Sequence, residues 1–247
     1  LGDVYKRQVT YIPTSSGFYL TSSRDEKNTR PTLFPQKYEI DGQELFFPKD
    51  EEKGGTWIGI NRNGRASCLL NGAFKNHEKA DKYSKSRGLI LIESLLSPDS
   101  IDFIENAELI NVEPFTLLLF SFPNTRMLNA YELRWDGKMR YSKILDLNSP
   151  QIWSSATLYD EIIIKKREIL FENWIDEHVE FEDKRIFEFH SQKHDLNITE
   201  DIRMKRNNEL MTLSISQVCA TTQGVQFNYF DLIKNESVST KIIQPAR

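Results

Sequence analysis

The Arg-Asp-Glu triplet near the start of the chain is the group of residues best suited to chemistry. Arg24, Asp25 and Glu26 follow an apolar alternating run and precede a polar, proline-containing stretch. This arrangement places a guanidinium beside two carboxylates where the backbone leaves a strand. The simpler interpretation is a salt-bridged strand cap. A functional interpretation depends on the rest of the chain.

The other residues with chemical potential do not form a familiar motif. The sequence lacks a phosphate-binding glycine-rich loop, a dinucleotide fingerprint, a nucleophile elbow and paired zinc-ligand cysteines, and no metal is expected. His190 and His194 lie four residues apart without a third ligand, which favours a solvated helix face over a metal site. Cys68 and Cys219 are expected to be buried, unreactive thiols. His77 is interpreted as a structural histidine, and a place in a site is the alternative.

Length and composition are typical of a globular protein. The 247 residues suffice for one large domain or two small ones, and 39% of them are hydrophobic and 28% charged. A net charge of −4 argues against a nucleic-acid partner or an anionic membrane surface. No apolar run is long enough to predict a transmembrane segment. Two cysteines do not make a disulfide framework, so a cytoplasmic location is expected.

The first eight residues do not match the pattern of the chain that follows. They resemble a translated sequencing-adapter scar, and a short native tail is the alternative. The predicted organisation is therefore a non-native N-terminal segment over residues 1–8 and a single domain over residues 9–247.

Alternating apolar residues and turn residues predict three β-hairpins. The first covers residues 9–21, the second covers residues 56–70 around Asn63-Gly64, and the third covers residues 131–145 around Asp136-Gly137. Further strands are predicted over residues 114–122, 211–215 and 225–229.

Apolar residues at helical spacing alternate with these strand blocks. They predict helices over residues 89–96, from an N-cap at Ser97 through Ile104, over residues 159–175 and over residues 183–192. Residues 27–55, which contain three prolines and a charged run, are predicted to be irregular. Blocks of strands that alternate with blocks of helices predict one α+β domain.

Several short segments together resemble the NRDE-motif proteins, the transport and Golgi organisation family. These segments are Ser23 to Glu26 with Arg30-Pro31, Gly54 to Gly59, Leu70-Asn71 and Ser86 to Gly88, in the order seen in the family. Residues 152–157 resemble a variant of the Ser/Asn-rich stretch of the family. The resemblance runs from Val9 to the C-terminus, and the first motif position carries Ser23 where the family usually has asparagine.

This family in turn resembles the N-terminal nucleophile hydrolases. The resemblance implies a four-layer αββα sandwich of antiparallel sheets between helices. In such enzymes an N-terminal Cys, Ser or Thr attacks an amide carbonyl and its own α-amine serves as the base. The corresponding position in this sequence is Arg7, inside the suspected scar, so the sequence as it stands has no nucleophile there.

The resemblance also implies roles for individual residues. Arg24 would favour the thiolate of the nucleophile, Asp25 would orient the α-amine, and Asn71 would donate its amide to the oxyanion. A structural turn network is the alternative for these residues. The expected ligand-contacting residues are Trp57, His77 and Arg87.

Two functions from different classes follow from the resemblance. The first is a hydrolase-like protein that acts on a non-peptide amide bond through an N-terminal cysteine. The second is a non-catalytic binding or trafficking protein for haem or acyl-lipid cargo. No cofactor is expected, since haem would be a ligand, and whether the protein is an enzyme stays open.

Overall fold

Two compact units, each built on an antiparallel sheet, make up the described chain. The computed structural model describes residues 6–78, 80–122, 128–156, 161–194, 196–206 and 209–243. One unit, the β1 unit, contains residues 6–29, Asn148–Ser154 and residues 161–243. The other, the β3 unit, contains Arg30–Leu147 and residues 155–156. The single domain expected over residues 9–247 stays a prediction.

The elements within the described residues follow one another as strands, helices, strands, helices and strands. In chain order they are β1 (Lys6–Thr14), β2 (Gly17–Lys27), β3 (Thr32–Ile40), β4 (Gln43–Asp50), β5 (Ile58–Asn61), β6 (Arg65–Asn71), α1 (Arg87–Leu96), α2 (Ser100–Asn106), β7 (Phe115–Ser121), β8 (Asn129–Trp135), β9 (Arg140–Ile144), β10 (Gln151–Ser154), α3 (Glu161–Asp176), α4 (Asp183–Ser191), β11 (Lys205–Arg206), β12 (Leu210–Thr221), β13 (Gly224–Asp231) and β14 (Glu236–Ile243).

The β1 unit is a sheet with α3 and α4 on one face. Its strands are ordered β10-β1-β2-β12-β13-β14, with β11 paired to β12, and every pairing is antiparallel. The helices bury apolar side chains against the sheet. The core consists of Ile12, Phe171, Ile186, Phe189 and Ile202. This core holds α3 and α4 behind the first two strands.

The β3 unit also packs helices on an antiparallel sheet. Its strands are ordered β3-β4-β5-β6-β7-β8-β9 and are also antiparallel. Ile90, Leu91 and Leu95 of α1 pack on the sheet residues Leu69 and Phe115, among others. Burial of this stripe explains why residues 87–96, which are mostly apolar, form a helix.

Residues 27–55 were predicted to be irregular, and this prediction is wrong. They contain the end of β2 and the hairpin of β3 and β4. Asp41 and Gly42 close this hairpin with φ angles of 50° and 73°, the positive values that an Asp-Gly turn supplies. Pro35 and Pro48 fall where the register between the two strands shifts. Pro35 is on the edge strand β3, and Pro48 of β4 lies beyond Leu45 and Phe46, the residues that pair with β5, so neither proline removes a hydrogen bond from the sheet interior.

Most of the other predicted elements are confirmed, with shifted boundaries. The three hairpins and the helices α1, α3 and α4 are present; residues 159–160 of the third predicted helix lie outside the described residues. The second helix does not begin at Ser97. Its N-cap is Asp99, whose side chain accepts a hydrogen bond from the backbone N–H of Asp102, and Ser97 instead ends α1. Strands β10 and β14 were not predicted from the sequence.

The boundary expected after residue 8 does not coincide with the end of an element. β1 begins at Lys6, so residues 6–8 pair with β2 and continue the strand that contains Val9. Residues 1–5 lie outside the described residues. The origin of segment 1–8 therefore stays a prediction, but its last three positions belong to the sheet.

Two of the family segments meet in the β3 unit through their glycines. A Cβ atom at Gly88 would lie 2.8 Å from the backbone nitrogen of Thr56, and one at Gly55 would lie 2.6 Å from the carbonyl carbon of Gly88. The Thr56 N–H donates to the Gly88 carbonyl at 3.3 Å. The loop before β5 and the start of α1 thus approach more closely than any side chain allows.

Gly88→Ala should destabilise the protein because the methyl group would overlap backbone that cannot swing away. We expect a loss of about 1–3 kcal/mol, the cost of overpacking, in urea unfolding. The control is Gly42→Ala, where a Cβ meets nothing within 4 Å and only the positive φ of 73° opposes it. A Gly88→Ala variant no less stable than Gly42→Ala would contradict the proposed close contact.

Candidate functional site

Position 7 lies directly opposite Arg24 in the paired strands β1 and β2. Opposed residues of an antiparallel pair project to the same face, so these two side chains share one side of the sheet. Arg24 is 1% exposed, and its Nη2 lies 4.0 Å from Oε2 of Glu26, two residues along the same strand. The triplet is therefore a buried part of the ladder and not an exposed strand cap.

Asp25 projects to the opposite face from Arg24. Its register partners are Lys6 on β1 and Thr212 on β12, and its Oδ1 accepts a hydrogen bond from the Thr212 hydroxyl at 2.6 Å. Asp25 thus lies beside the strand position that immediately precedes residue 7. The sequence places Arg24 and Asp25 together, but the sheet gives them different surroundings.

A β-bulge in β12 lies beside this pair. Thr212 pairs with Asp25, whereas Ser214 pairs with Arg24, so Leu213 is the extra residue. In a regular strand, residues 212 and 214 would project to the same face. The bulge sends the Thr212 hydroxyl to Asp25 and turns Ser214 to the face of Arg24. The regular alternation predicted over residues 211–215 is interrupted at this point.

The face that carries Asp25 is anchored by two helix side chains. The first is Arg167 of α3, which is fully buried; its Nη1 donates to Oε1 of Gln8 at 2.9 Å and its Nε donates to the Glu200 carbonyl at 2.8 Å. Gln8 in turn donates from Nε2 to the Trp153 carbonyl of β10 at 2.7 Å. The residue next to position 7 is therefore fixed by side-chain hydrogen bonds in addition to its strand pairing.

The second anchor is His190 of α4, which is fully buried. Its Nε2 lies 2.8 Å from the Thr10 hydroxyl and its Nδ1 lies 2.8 Å from the Ser23 hydroxyl. Burial, with a smaller contribution from His194, lowers the pKa of His190 to about 3. The neutral ring has one N–H, so it donates to one of the two hydroxyls and accepts from the other.

The prediction that His190 lies on a solvated helix face is wrong. It shares the buried stripe of α4 with Ile186 and Phe189. The spacing of these residues, with His190 four positions after Ile186, was the signal that could have identified it as buried. His194 is half-buried, and its Nε2 lies 2.8 Å from the Phe189 carbonyl.

Asn71 belongs to the β3 unit, at the end of β6. It is 1% exposed; its N–H donates to the Ser155 hydroxyl at 3.3 Å, and its carbonyl accepts from the Ala156 N–H at 3.1 Å. The structure thus joins Asn71 to Ser155 and Ala156, two residues of the stretch that resembles the Ser/Asn-rich segment of the family.

Three residues with an expected ligand role are also in the β3 unit. Arg87 and His77 meet around Glu113, with Arg87 Nη2 3.1 Å from Oε2 and His77 Nε2 3.4 Å from Oε1. Trp57 is 1% exposed and directly follows the loop that contacts Gly88. Sequence reasoning missed Glu113, because a single glutamate before a buried strand carries no local signal. The ligand roles stay predictions.

Neither cysteine is placed to act as a nucleophile. Cys68 is buried in β6, as predicted, and Cys219 is half-buried in β12. Burial raises the pKa of the Cys219 thiol to about 11, which leaves little thiolate at neutral pH.

The part of the chain that the structure describes contains neither a cluster of metal-ligating side chains nor a helix that could span a membrane. No group of three or more His, Cys, Asp and Glu side chains there could hold a metal ion. None of the helices described is long and apolar enough to cross a membrane.

Comparisons with known proteins identify a family and a fold. The family model described as Transport and Golgi organisation 2 matches residues 10–230. No curated protein sequence matches the chain. Similar solved structures include a penicillin V acylase from Agrobacterium tumefaciens, with a TM-score of 0.56 and 10% identity over 95% of this chain and 86% of that chain.

Two further solved structures are similar. A Caenorhabditis elegans ortholog of N-acylethanolamine-hydrolyzing acid amidase has a TM-score of 0.57 and 10% identity over 85% of this chain and 91% of that chain. A mutant conjugated bile acid hydrolase from Clostridium perfringens has a TM-score of 0.52 and 8% identity over 95% and 92%. At sequence identities this low, the structural similarity establishes the fold alone. The predicted α+β fold class of the N-terminal nucleophile hydrolase type is confirmed.

The buried state of His190 predicts an acid-sensitive fold. In the unfolded chain its pKa returns to about 6.5, whereas in the folded chain it is about 3. Below pH 6.5 the unfolded chain therefore binds a proton that the folded chain does not. The contribution of His190 to the free energy of unfolding should be fully present above pH 6.5. It should decrease as the pH falls towards 3, by up to about 1.4 kcal/mol per pH unit.

Urea unfolding of the unmodified protein and of His190→Gln between pH 7 and pH 4 measures this contribution. Glutamine keeps a donor and an acceptor but does not titrate, so the variant should lose less stability on acidification. Carboxylates titrate in both proteins and cancel in the comparison. Equal pH slopes in the two proteins would show that His190 is not a buried neutral group.

Proposed function

The chain belongs to the transport and Golgi organisation 2 family, and from this membership and the shared fold we propose that it is a hydrolase-like protein of the cytoplasm. Its reaction is the cleavage of a non-peptide amide bond through a cysteine nucleophile at position 7, as the first residue of the active protein. The observation that carries this proposal is the placement of position 7 opposite the buried Arg24 on one sheet face.

The proposed reaction needs a thiol and an amine on the same residue. The α-amine of the N-terminal cysteine takes the thiol proton, and the thiolate attacks the amide carbonyl carbon. The C–N bond breaks, the amine leaves with the proton, and an acyl thioester remains on the sulfur. Water then hydrolyses the thioester, which releases the acid and restores the thiol.

Two residues of the β1 unit support this chemistry by their positions. Arg24 is a buried cation on the face of residue 7, where it favours the thiolate over the thiol. Asp25 lies opposite residue 6, so a chain that begins at residue 7 brings its free amine to the edge of the ladder beside this carboxylate. The oxyanion role implied for Asn71 stays a prediction.

The substrate class is proposed by analogy with similar structures. They are a penicillin V acylase, a mutant conjugated bile acid hydrolase and an ortholog of N-acylethanolamine-hydrolyzing acid amidase. All three names denote cleavage of an acyl compound. An acyl amide of a small amine is accordingly the substrate that we propose for this chain.

A second candidate function is favoured by the residue at position 7 itself. Arginine occupies this position, and its guanidinium cannot attack a carbonyl. With Arg7 the protein is a non-catalytic binding or trafficking protein, for which haem or an acyl-lipid is the proposed ligand.

Installing a cysteine at position 7 tests the enzymatic proposal. In the N-terminal cysteine variant, a single Met replaces residues 1–6 and the next residue carries the substitution Arg7→Cys. Removal of the Met then leaves the cysteine as the first residue. We expect an iodoacetamide probe to label the new cysteine near neutral pH and an acyl aminocoumarin amide to be cleaved. Adding Arg24→Leu should slow labelling roughly tenfold or more and shift its pH profile upward, because the thiolate loses a buried cation.

Cys68 and Cys219 serve as internal controls, since both should label slowly. A second control carries Arg7→Ala in the same shortened chain. The enzymatic proposal fails if the N-terminal cysteine labels no faster than Cys219 and no amide is cleaved. In that case, saturable binding of haem or acyl-CoA by the unmodified chain would support the carrier.

A further inference from the structure

We propose that Thr212 is a positioning residue, which directs the carboxylate of Asp25 towards the α-amine of residue 7. This inference deepens the proposed function and rests on it for the role of Asp25. Thr212 itself touches neither the substrate nor the reacting atoms in this reaction. It lies on β12, 187 residues away in the chain from the aspartate that it contacts.

Asp25 needs a hydrogen-bond partner to orient its carboxylate. The χ2 angle of an aspartate has broad preferences, so burial alone does not decide where the two oxygen atoms point. Asp25 is 1% exposed and is paired with residue 6 on one side and with Thr212 on the other. The Thr212 hydroxyl lies 2.6 Å from Oδ1 of Asp25. This hydrogen bond restricts the rotation of the carboxylate and so fixes the direction of both oxygen atoms.

The segment before β11 makes Thr212 a donor to Asp25. The Met204 N–H donates to Oγ1 of Thr212 at 3.0 Å, and the Thr212 N–H donates to the Met204 carbonyl at 3.1 Å. A hydroxyl has one proton and an ionised carboxylate can only accept, so the hydroxyl proton is directed to Asp25. Thr212 is 3% exposed, and its branched side chain restricts the χ1 angle. Its orientation is therefore fixed by its backbone and by its side chain.

The bulge at Leu213 gives this contact a functional interpretation. Because of the extra residue, Thr212 pairs with Asp25 although Ser214 pairs with Arg24. Bulges disrupt a ladder locally, and next to active sites they commonly redirect a side chain. The alternative is that Thr212 only satisfies a buried carboxylate. The two interpretations differ in whether the α-amine of residue 7 responds to Thr212.

The first test measures the α-amine without any catalysis. It uses the shortened chain that carries Arg7→Ala, whose first residue has an amine but no thiol. Acetylation of this amine by a succinimidyl ester is followed from about pH 6 to about pH 9 by mass spectrometry of the N-terminal peptide. A nearby carboxylate stabilises the ammonium form, so Asp25→Asn should lower the midpoint of the pH profile by about one unit. Thr212→Val should lower it by about half a unit or more.

A double variant separates positioning from an unrelated effect. Thr212→Val with Asp25→Asn should shift the midpoint no further than Asp25→Asn alone, because Thr212 acts only through Asp25. Thr212→Ser keeps the hydroxyl and should keep the midpoint of the unmodified side chain. Thr212→Ala also lacks the hydroxyl and takes the place of the valine variant if that variant does not fold. Urea unfolding of each variant checks the fold.

The second test measures turnover of the acyl aminocoumarin amide by the N-terminal cysteine variant. Thr212→Val should lower kcat roughly tenfold and leave KM within about twofold, since Thr212 does not contact the substrate. Thr212→Ser should restore most of the rate. The control is Thr21→Val on β2, which removes a fully buried hydroxyl that accepts from Nε2 of Gln217 at 3.1 Å. This control should lower stability and change neither kcat nor the amine midpoint.

Other charged side chains near the end of β1 are unchanged in all these variants. They are Arg24 and Glu26 of β2, Asp231 of β13, which pairs with Ser214, and Arg167 of α3, which donates to Gln8. A shift of the amine midpoint in the Thr212 variants is therefore assigned to the carboxylate of Asp25.

Each result supports or overturns the positioning role. The role is overturned if Thr212→Val leaves the amine midpoint unchanged, if its shift adds to that of Asp25→Asn, or if Thr21→Val has the same effect. A midpoint unaffected by Asp25→Asn overturns it even where the amide is cleaved. A midpoint that depends on Thr212 only through Asp25, without turnover by the N-terminal cysteine variant, supports the positioning role and refutes the enzymatic proposal.

Discussion

The pairing register of β1 with β2 is the constraint on which the candidate site depends. It sets position 7 opposite Arg24 and residue 6 opposite Asp25. Side chains alternate between faces along a strand, so a slip of one residue would exchange every partner. Arg24 would then face the helices, and Asp25 would share the face of position 7. The hydrogen bonds from α3 and α4 oppose such a slip, because they hold Gln8 and Ser23 on the helix side.

The two faces of this sheet differ in how their buried polar side chains are hydrogen-bonded. On the helix face, His190 and Arg167 satisfy the polar side chains next to position 7, which removes the cost of burying them. On the other face, the hydroxyls of Ser22 and Ser216 are buried without hydrogen-bond partners among the described residues.

The β3 unit shows that family motifs can have a packing origin. The glycines at positions 55 and 88 let a loop and a helix start touch, and Arg87 in the same segment reaches Glu113. These family segments are therefore explained by close backbone packing as well as by side-chain chemistry. The family match over residues 10–230 is consistent with a fold that needs both units.

The sequence alone determined the local features. Asn63-Gly64 predicts its hairpin because glycine readily supplies the positive φ angle of such a turn, which is 74° at Gly64. The apolar stripe of residues 89–96 predicts α1 because one helix face must be buried. Asp41-Gly42 carries the same turn signal and was overlooked beside the prolines. Only tertiary structure decided the rest. Whether His190 is solvated depends on hydroxyls more than a hundred residues away in the chain, and the bulge at Leu213 depends on how β12 matches β2. Local sequence patterns do not distinguish a buried polar side chain from an exposed one. The free energy of a buried polar group depends on its hydrogen-bond partners, which long-range pairing supplies, and not on its neighbours in sequence.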